Sequence, residues 1–584
     1  MREHVGALVR EPHWFESTGL LAMPISVVAV LGWRRRWMSD DGFINVRIVE
    51  NLFAGHGPVY NVGERVEAGT STLWLAAISL GHAVFPFVAI SRVAVYGGLL
   101  ATVLGLVAVT AGAAVLWRLL DRRGPLLPLG TVVLAALPPF WDFATSGLEM
   151  GLAFLWLGLS FLLLALGLRA ARTADRGRRR AWWSLAPAVV IGLGPLVRPD
   201  LTLIAAALGV ALLAQSPRSL RSWAGVAAAA LAIPVGYEVF RAGYYATLVP
   251  NTALAKGAGS ALWPKGLHYL ADFAGRYVLL LPLLPIALLA WGPNLVAALR
   301  GRDLAMSALL GAPAVGGVLH ALFVIRVGGD FMHGRLLLPA TFAVLMPVAV
   351  VAAGPHRGER ARVAVALVVV VVWAVVVAAD VRLPYRGVGP DGIADERALY
   401  VAGAGKRNPI YVGDYSGVSS FDWFPRAVAD RERAERGERV LVAGSTQYPA
   451  ADGYGVVGLM GNIGVYGVAA GPRVHVADGL ALASALGARL EVRPGPGSRV
   501  GHSQAVPLVW ELARYARPSP EDPQDLLDAR AALRCGDLAR LEEAITAPMT
   551  PSRFLRNLRA APRLTRLTIP VDPAEARAAL CRPG

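Results

Sequence analysis

The chain has 584 residues, of which 55% are hydrophobic and 17% are charged, and its mean hydropathy is +0.49. Ordinary soluble proteins are less apolar, so the composition predicts a protein whose main solvent is the lipid bilayer. The formal net charge of +16 does not indicate nucleic-acid binding, because the basic residues occur in small groups between long apolar runs. Only Cys535 and Cys581 could form a disulfide, which excludes a cysteine-rich metal cluster.

A series of apolar runs occupies the first 380 residues. The first, 19–33, precedes a Trp-Arg-Arg-Arg-Trp segment and no small-residue cleavage site, so we expect a retained helix. The other runs are 92–117, 126–141, 149–168, 182–196, 201–213, 223–240, 277–299, 304–325, 336–353 and 363–379. The pattern predicts a polytopic α-helical membrane protein with about 11 transmembrane helices, the shorter ones spanning by snorkelling or local thinning.

Arginine is concentrated in alternate loops of this series. The Arg-rich loops lie at 118–123, 169–180, 218–221, 300–302 and 357–362. The positive-inside rule places them in the cytoplasm, and it places the intervening loops and everything after 380 on the extracytoplasmic face. This orientation requires 71–87 to be a surface or re-entrant helix, and it leaves Arg34 to Arg36 on the unfavoured side.

Hydropathy falls after residue 380, where short strand-like pieces such as Val440-Leu441-Val442-Ala443 alternate with helical stretches rich in Ala, Arg and Glu. We therefore predict two domains. Residues 1–380 would form the transmembrane catalytic domain, including an external loop at 34–90, and residues 381–584 would form a mixed α/β extracytoplasmic domain.

Polar residues cluster in segments that are all predicted to be external. The clusters are 39–42, 63–72, 142–149, 198–200, 244–256 and 326–335. Taken singly, most have a structural explanation, such as a helix N-cap for the Asp40-Asp41 doublet or an interfacial aromatic belt for Tyr245. The density of charge in 326–335 has no such explanation, whereas His320, inside an apolar run, is expected to be a packing residue.

Convergence of these clusters on one face favours an outward-facing active site over a transporter, which needs polar groups near the midplane. An enzyme acting there on a membrane-embedded substrate needs cations for a lipid phosphate and carboxylates for a sugar, and no nucleotide-binding loop occurs. The sequence thus predicts a polyprenyl-phosphate-sugar glycosyltransferase. A protein O-mannosyltransferase, a lipid or polysaccharide transporter and a non-catalytic scaffold stay open as alternatives.

The residue types suggest individual roles. Asp40 or Asp41 would orient or deprotonate the acceptor hydroxyl, or supply a nucleophile. The predicted donor-phosphate ligands are Arg198, Lys256, His333 and Arg335, and the predicted sugar or substrate ligands are Glu64, Glu67, Glu149, Asp330 and Tyr245. The sequence identifies no cofactor, and a divalent cation (Mg, Mn or Ca) held by Asp40, Asp41 and Glu149 is an open alternative.

A series of short motifs follows in a fixed order along the chain: Asp40-Asp41-Gly42, 64–68 with 70–72, 142–149, Val197-Arg198-Pro199, Tyr244-Tyr245 with 248–250, 252–256, 328–335, Gly461-Asn462-Ile463-Gly464, 476–480, 553–555 and the two cysteines. This order resembles the AftB family, terminal arabinofuranosyltransferases of the mycobacterial cell wall. Departures are Gly69, where Asn is expected, and a stretch at 402–456 that is shorter than expected.

The resemblance implies a GT-C glycosyltransferase in the plasma membrane. Its donor would be decaprenyl-phosphoryl-arabinofuranose, and its acceptor would be the arabinan of arabinogalactan or lipoarabinomannan, to which it adds a terminal β-1,2-linked arabinofuranose. Membrane lipid is the remaining expected partner, and nucleic acid is not one. The resemblance also implies a bond between Cys535 and Cys581, and the external domain is a possible site for the acceptor.

Overall fold

The computed structural model describes residues 13–122, 124–173, 179–257, 261–354, 356–389, 392–416, 422–491, 500–501 and 504–581. The elements up to residue 379 are α1 (His13–Arg34), α2 (Asp40–Phe53), α3 (Thr72–Val84), α4 (Ile90–Leu119), β1 (Leu126–Leu127), α5 (Leu129–Ala136), α6 (Pro138–Phe143), α7 (Met150–Thr173), α8 (Arg179–Gly192), α9 (Gly194–Val197), α10 (Thr202–Gln215), α11 (Leu220–Tyr244), α12 (Asn251–Ala255), α13 (Trp263–Leu270), α14 (Leu280–Pro285), α15 (Gly292–Arg300), α16 (Leu304–Arg326), α17 (Leu338–Leu345), β2 (Val351–Ala352) and α18 (Arg357–Ala379).

The later elements are α19 (Glu396–Ala404), α20 (Trp423–Glu435), β3 (Val440–Ala443), β4 (Thr446–Pro449), β5 (Val456–Met460), α21 (Ile463–Ala470), β6 (Val474–Asp478), α22 (Leu508–Tyr515), α23 (Gln524–Leu533), α24 (Gly536–Thr546), α25 (Pro551–Thr565) and α26 (Pro573–Leu580).

Six helices among the described residues are long and apolar enough to cross a membrane. They are Ile90–Leu119, Met150–Thr173, Leu220–Tyr244, Leu280–Arg300, Leu304–Arg326 and Arg357–Ala379. The other predicted runs form shorter apolar helices, at Thr18–Arg34, Leu185–Val197, Pro199–Gln215 and Arg335–Val348, or broken pieces. The run 126–141 divides into α5 and α6 at Pro138, because proline has no N–H to continue the helical ladder. The finer count of about 11 spans stays a prediction.

The chain divides into two compact units, and the division differs from a boundary at 380. The helical unit comprises 1–36, 95–234 and 262–386, and the mixed unit comprises 37–94, 235–261 and 387–584. The segment 37–94 joins the mixed unit because Ile44 and Ile48 of α2 lie in the same buried cluster as Val456 and Val474 of the sheet. An amphipathic helix is placed by what its apolar face covers, which hydropathy along the chain does not reveal.

Close helix packing in the helical unit depends on glycines. A Cβ atom on Gly151 would lie 2.1 Å from the Gly98 carbonyl oxygen, and one on Gly158 would lie 2.2 Å from that of Gly105. Both pairs join α4 to α7 at matching intervals, as small residues do in membrane helix pairs. This contact fixes α7, whose N-terminal end follows Glu149.

The mixed unit contains a four-stranded sheet in the order β4-β3-β5-β6. Strands β3, β5 and β6 are parallel, with Val440 opposite Val456 and Val456 opposite Val474, and β4 is antiparallel to β3. The predicted strand 440–443 is β3 itself. Helix α21 connects β5 to β6, so its N-terminus and the end of β6 lie at the carboxyl edge of the parallel strands, where α/β sheets commonly bind ligands.

Candidate active site

Asp40, the first residue of α2, is fixed by a second helix. It is 3% exposed, and its Oδ1 accepts a 2.7 Å hydrogen bond from Val465 N while its Oδ2 accepts a 3.0 Å bond from Gly464 N. These are among the first amides of α21, which have no partner within their own helix and attract a carboxylate. The N-cap of α2 is instead Ser39, which accepts a bond from Gly42 N.

Asp41 follows directly and is different. Its side chain is only partly buried, and no described residue donates a hydrogen bond or forms an ion pair with it. The doublet therefore supplies one carboxylate that is committed to protein structure and one that is available to a ligand.

Sequence analysis did not single out Asp478, which lies near this doublet at the end of β6. It is 1% exposed and accepts bonds from Leu480 N at 2.9 Å and Ala483 N at 2.7 Å. The pKa of Asp40 is raised to about 7, mainly by burial and to a smaller extent by the charges of Asp41 and Asp478, which together outweigh the two amides that lower it. Burial likewise raises the pKa of Asp478 to about 7. One feature of the sequence could have identified Asp478: it is a carboxylate at the end of an apolar strand, and ligands commonly bind where parallel strands end.

Arg47 is a second residue that sequence analysis missed. Its guanidinium donates to the carbonyl of Gly467 in α21, to Val474 O at 2.8 Å and to Tyr60 O at 2.8 Å. Asp40 and Arg47 lie seven positions apart on α2 and bind opposite ends of the eight-residue α21. The Asp40 carboxylate near the N-terminus of α21 and the Arg47 guanidinium near its C-terminus both interact favourably with the dipole of that helix. Helix α2 therefore holds α21 at both ends.

The acids of the 63–72 cluster are already paired. Glu67 Oε2 lies 2.7 Å from Arg241 Nε, and its Oε1 accepts a 2.6 Å bond from the Tyr237 hydroxyl. Glu64 Oε1 lies 2.8 Å from Arg514 Nη2. These contacts are within the mixed unit, and they tie the loop after α2 to later parts of the chain. A sugar-binding role for Glu64 and Glu67 stays a prediction.

Two further predicted residues of this unit lie outside the doublet's hydrogen bonds. The Tyr245 hydroxyl donates to Pro58 O at 2.8 Å, and its ring is buried against Tyr244. Lys256 is the C-cap residue of the short helix α12 and is partly buried. Neither the hydrogen bond of Tyr245 nor the C-cap position of Lys256 assigns a substrate role to these residues.

In the helical unit, Glu149 lies between two arginines. Its Oε1 accepts a bond from the Arg198 guanidinium and a 3.2 Å bond from Arg335 Nη2. Arg198 Nε lies 3.0 Å from Asp200, and Arg335 Nη1 lies 3.5 Å from Asp330. The structure thus joins four residues that the sequence nominated separately, and it adds Asp200 to them.

The charge of this cluster decides what it can bind. Two guanidiniums meet three carboxylates, and the fully buried His320 places Nε2 2.8 Å from Asp200 Oδ2. The histidine expected to be a packing residue is therefore part of the polar cluster. Because the arginines are already neutralised, a phosphate would have to take the place of a carboxylate.

His333 has both ring nitrogens occupied. Its Nδ1 lies 2.5 Å from Asp272 Oδ2, and its Nε2 lies 3.0 Å from the Tyr277 hydroxyl. Asp272 lies in a π-helical turn, Ala271–Gly275, which brings its carboxylate to the histidine. The side chains of Asp272 and Tyr277 thus hold the histidine in place. A role of His333 in binding the donor phosphate stays a prediction.

Two remaining predictions concern metal and disulfide. Within the described ranges, no three His, Cys, Asp or Glu side chains form a group able to hold a metal ion. Both oxygens of Asp40 accept amide hydrogens and Glu149 is bonded to two arginines, so this predicted ligand set does not fit a cation as it stands. Cys535 and Cys581 are bonded, closing a loop with a sequence separation of 46.

Comparisons with known proteins agree with the motif order. Residues 449–578 match the family model described as the AftB family C-terminal domain. A terminal beta-(1->2)-arabinofuranosyltransferase of Corynebacterium glutamicum is 35% identical, over 93% of this chain and 85% of that protein. The protein of the same name from Mycobacterium tuberculosis is 32% identical, over 94% of this chain and 95% of its own length.

Among solved structures, the archaeal oligosaccharyltransferase AglB from Archaeoglobus fulgidus is similar with a TM-score of 0.43 and 12% identity, over 80% of this chain and 65% of that one. A likeness at this level decides neither fold nor function. The two arabinofuranosyltransferases, in contrast, match nearly the whole chain above 30% identity. This chain therefore belongs to the AftB family, the family of these arabinofuranosyltransferases.

Proposed function

We propose that this arabinofuranosyltransferase uses decaprenyl-phosphoryl-arabinofuranose as donor and extends the arabinan of arabinogalactan or lipoarabinomannan at terminal β-(1→2) positions, with Asp41 acting at the reacting centre. Membership of the family carries the transferase activity. The lipid donor is supported by the six apolar helices, since a polyprenyl phosphate is delivered within the bilayer. The arginine distribution supports an orientation with the active site and the C-terminal domain on the extracytoplasmic face of the plasma membrane.

One observation carries the choice of Asp41. Asp40 uses both oxygens to hold α21, whereas Asp41 is partly exposed and has no hydrogen bond from a described residue. A group that exchanges protons or bonds with substrate must be accessible to it. We therefore assign Asp40 to positioning and Asp41 to chemistry.

In the reaction, the bond between C1 of arabinose and the phosphate oxygen breaks, and C1 bonds to the acceptor oxygen. The phosphate leaves with the electron pair, and the hydroxyl proton passes to a base. If both donor and product are β-linked, configuration is retained and a single in-line displacement is insufficient. Either Asp41 first forms a covalent bond to C1, or the acceptor attacks from the face that the phosphate leaves.

The predicted phosphate ligands Arg198 and Arg335 fit the charge that grows on the departing phosphate, provided that the phosphate replaces Glu149 as their shared acceptor. Lys256 and His333 stay candidates for the same role. A divalent cation also stays a prediction, and no step here depends on one. Transfer assayed with and without EDTA tests it.

The deciding experiment follows radiolabelled arabinose from decaprenyl-phosphoryl-arabinofuranose to a synthetic arabinan oligosaccharide. Membranes would contain wild type, Asp40→Asn, Asp41→Asn or Asp452→Asn at matched expression. The control Asp452 lies in the same unit and its side chain is 91% exposed. We expect Asp41→Asn to lose a factor of about 10² to 10⁴, Asp40→Asn to lose less, and the control to match wild type.

Other outcomes identify the alternatives. Mannosylated protein would indicate an O-mannosyltransferase, and donor-lipid flux without a covalent product would indicate a transporter. If Asp41→Asn transfers arabinose as fast as the control, the assignment of Asp41 is wrong. If folded wild type transfers none, with or without divalent ions, the proposed donor and acceptor are wrong.

A further inference from the structure

Helix α25 carries a row of arginines that the proposed reaction does not use. Arg556, Arg559, Arg563 and Arg566 recur every three or four residues, which places them on one side of the helix or its C-cap. All four are exposed. Arg563 pairs with Asp537 at 2.5 Å, whereas the other three side chains make no hydrogen bond or ion pair with any described residue.

An apolar edge borders this basic face. Leu555 is 51% exposed and lies within one helical turn of Arg556 and Arg559, and Pro562 is exposed on the same side. The opposite side, which includes the buried Asn557, is covered by protein. A helix with arginines beside exposed leucine and proline has the character of a segment that lies flat at a membrane interface.

Contacts within the mixed unit place this helix at the end of a candidate membrane span. The Phe554 ring packs on Gly243 so closely that a Cβ there would lie 2.2 Å from it. Gly243 is the second-last residue of α11, one of the helices able to cross a membrane. At the other end of α25, Thr565 Oγ1 accepts a 2.8 Å bond from Leu248 N, in the loop that follows α11.

A third contact keeps the start of α25 at this place. The Arg65 guanidinium donates to Ala544 O at 2.8 Å and Ala547 O at 2.6 Å, in the last turn and at the C-cap of α24, and lies 5.8 Å from the ring of Tyr244, the last residue of α11. The helix is therefore held where α11 leaves the apolar phase. Exposed guanidiniums at that level meet lipid headgroups, and positive charge favours anionic ones.

We propose that α25 is an interfacial helix that binds anionic phospholipid headgroups through Arg556, Arg559 and Arg566, with Leu555 inserted beside them. The partner is the bilayer surface and not the donor. This binding does not depend on the assignment of Asp41 and would be measured with no donor present.

The test uses the full chain in nanodiscs with a single reporter. Both native cysteines are joined to each other, so Leu555→Cys supplies a unique thiol for an environment-sensitive fluorophore. Nanodiscs would contain phosphatidylcholine alone or with added phosphatidylglycerol. We expect a blue shift and stronger quenching by lipids that carry a quencher on the acyl chain when phosphatidylglycerol is present, and weakening of both at high salt.

Three arginines would then be replaced together, as Arg556→Gln, Arg559→Gln and Arg566→Gln. Each guanidinium is expected to contribute roughly fivefold to the preference for anionic lipid, so the triple variant should show little or none. The matched control removes three exposed arginines from the same unit, as Arg436→Gln, Arg439→Gln and Arg473→Gln. A reporter at the exposed Ser445 on the β3–β4 turn should not respond in any lipid.

The proposal is overturned if the Leu555→Cys reporter gives the same signal in both lipids. It is also overturned if the response persists in the α25 triple variant, or if the control triple variant abolishes it equally. If the α25 triple variant does not fold, two other measurements test the proposal. The single change Arg559→Gln and the addition of salt to the reporter protein must each reduce the fluorescence response, and the proposal is overturned if neither does.

Discussion

Gly464→Ala tests whether the contact between α21 and Asp40 holds the catalytic doublet in place. A Cβ at this position would lie 1.8 Å from the Asp40 carbonyl oxygen and 3.0 Å from its Cγ. An ordinary carbon–oxygen contact is about 3.3 Å, so the helix and Asp40 must separate by roughly 1.5 Å. The amide bonds of 2.7 and 3.0 Å to the Asp40 carboxylate would then exceed hydrogen-bonding range.

Two effects oppose each other in this variant. Alanine in place of glycine in a helix contributes about 1 kcal/mol of stability. Losing both amide bonds to a buried carboxylate costs about 1.5 to 3 kcal/mol for each bond. The loss exceeds the gain, so we expect a net fall in stability, and a displacement of about 1 Å at reacting groups lowers the rate roughly 10²-fold.

The assay is kcat/KM for arabinose transfer, together with thermal unfolding of the purified protein. Gly461→Ala is the matched control, because its Cβ would meet Leu480 Cγ at 3.6 Å, an ordinary contact, in the turn just before α21. We expect the control to stay within about twofold of wild type. Equal activity of Gly464→Ala and Gly461→Ala would refute the reasoning that α21 positions the doublet.

Three further outcomes are expected. Replacing Cys535 and Cys581 by serine should lower the free energy of unfolding by about 4 kcal/mol, measured by denaturant titration, because the bond closes a loop with a separation of 46; an unchanged midpoint would contradict this. Burial raises the pKa of Asp478 from 3.8 to about 7, so the folded state retains a proton that the unfolded state releases, and stability should fall as pH rises from about 4 to 7. Asp478→Asn should reduce that slope in thermal unfolding, while Asp40, whose pKa is raised over the same range, maintains the rest of it; an unaltered slope would assign the whole effect to other groups. In the helical unit, Arg198→Gln leaves three carboxylates with one guanidinium and should cost about 3 to 5 kcal/mol, whereas Glu149→Gln leaves equal charges and should cost less; the reverse order of melting temperatures would contradict the charge count.

The sequence located most of the helices because a membrane span depends on local composition. The predicted run 304–325 is α16, Leu304–Arg326, and the run 363–379 lies within α18, Arg357–Ala379. The strand 440–443 was likewise predicted from local composition, as a short apolar run. For the run 126–141, composition predicted a single membrane span. The backbone instead forms two short helices, because Pro138 interrupts the run.

The roles within the polar clusters were not predictable in this way. Asp40 and Asp41 are identical in chemistry and adjacent in sequence, yet one carboxylate is bound by amides more than 420 positions later. No motif in the sequence marks Arg47, and two of its carbonyl partners, Gly467 and Val474, also lie far along the chain. Such partners leave no periodic signal near the residue that they bind.

By itself, the sequence determined that the chain is apolar enough for a membrane, where its apolar helices fall and, through the order of its motifs, which family it resembles. These properties depend on residues near one another in the chain. Only the tertiary structure decided that α2 belongs with the sheet, that Asp40 is held while Asp41 is available, and that Glu149 is shared by Arg198 and Arg335. The physical reason is that burial and charge pairing are set by contacts between distant segments, which exist only after the chain has folded.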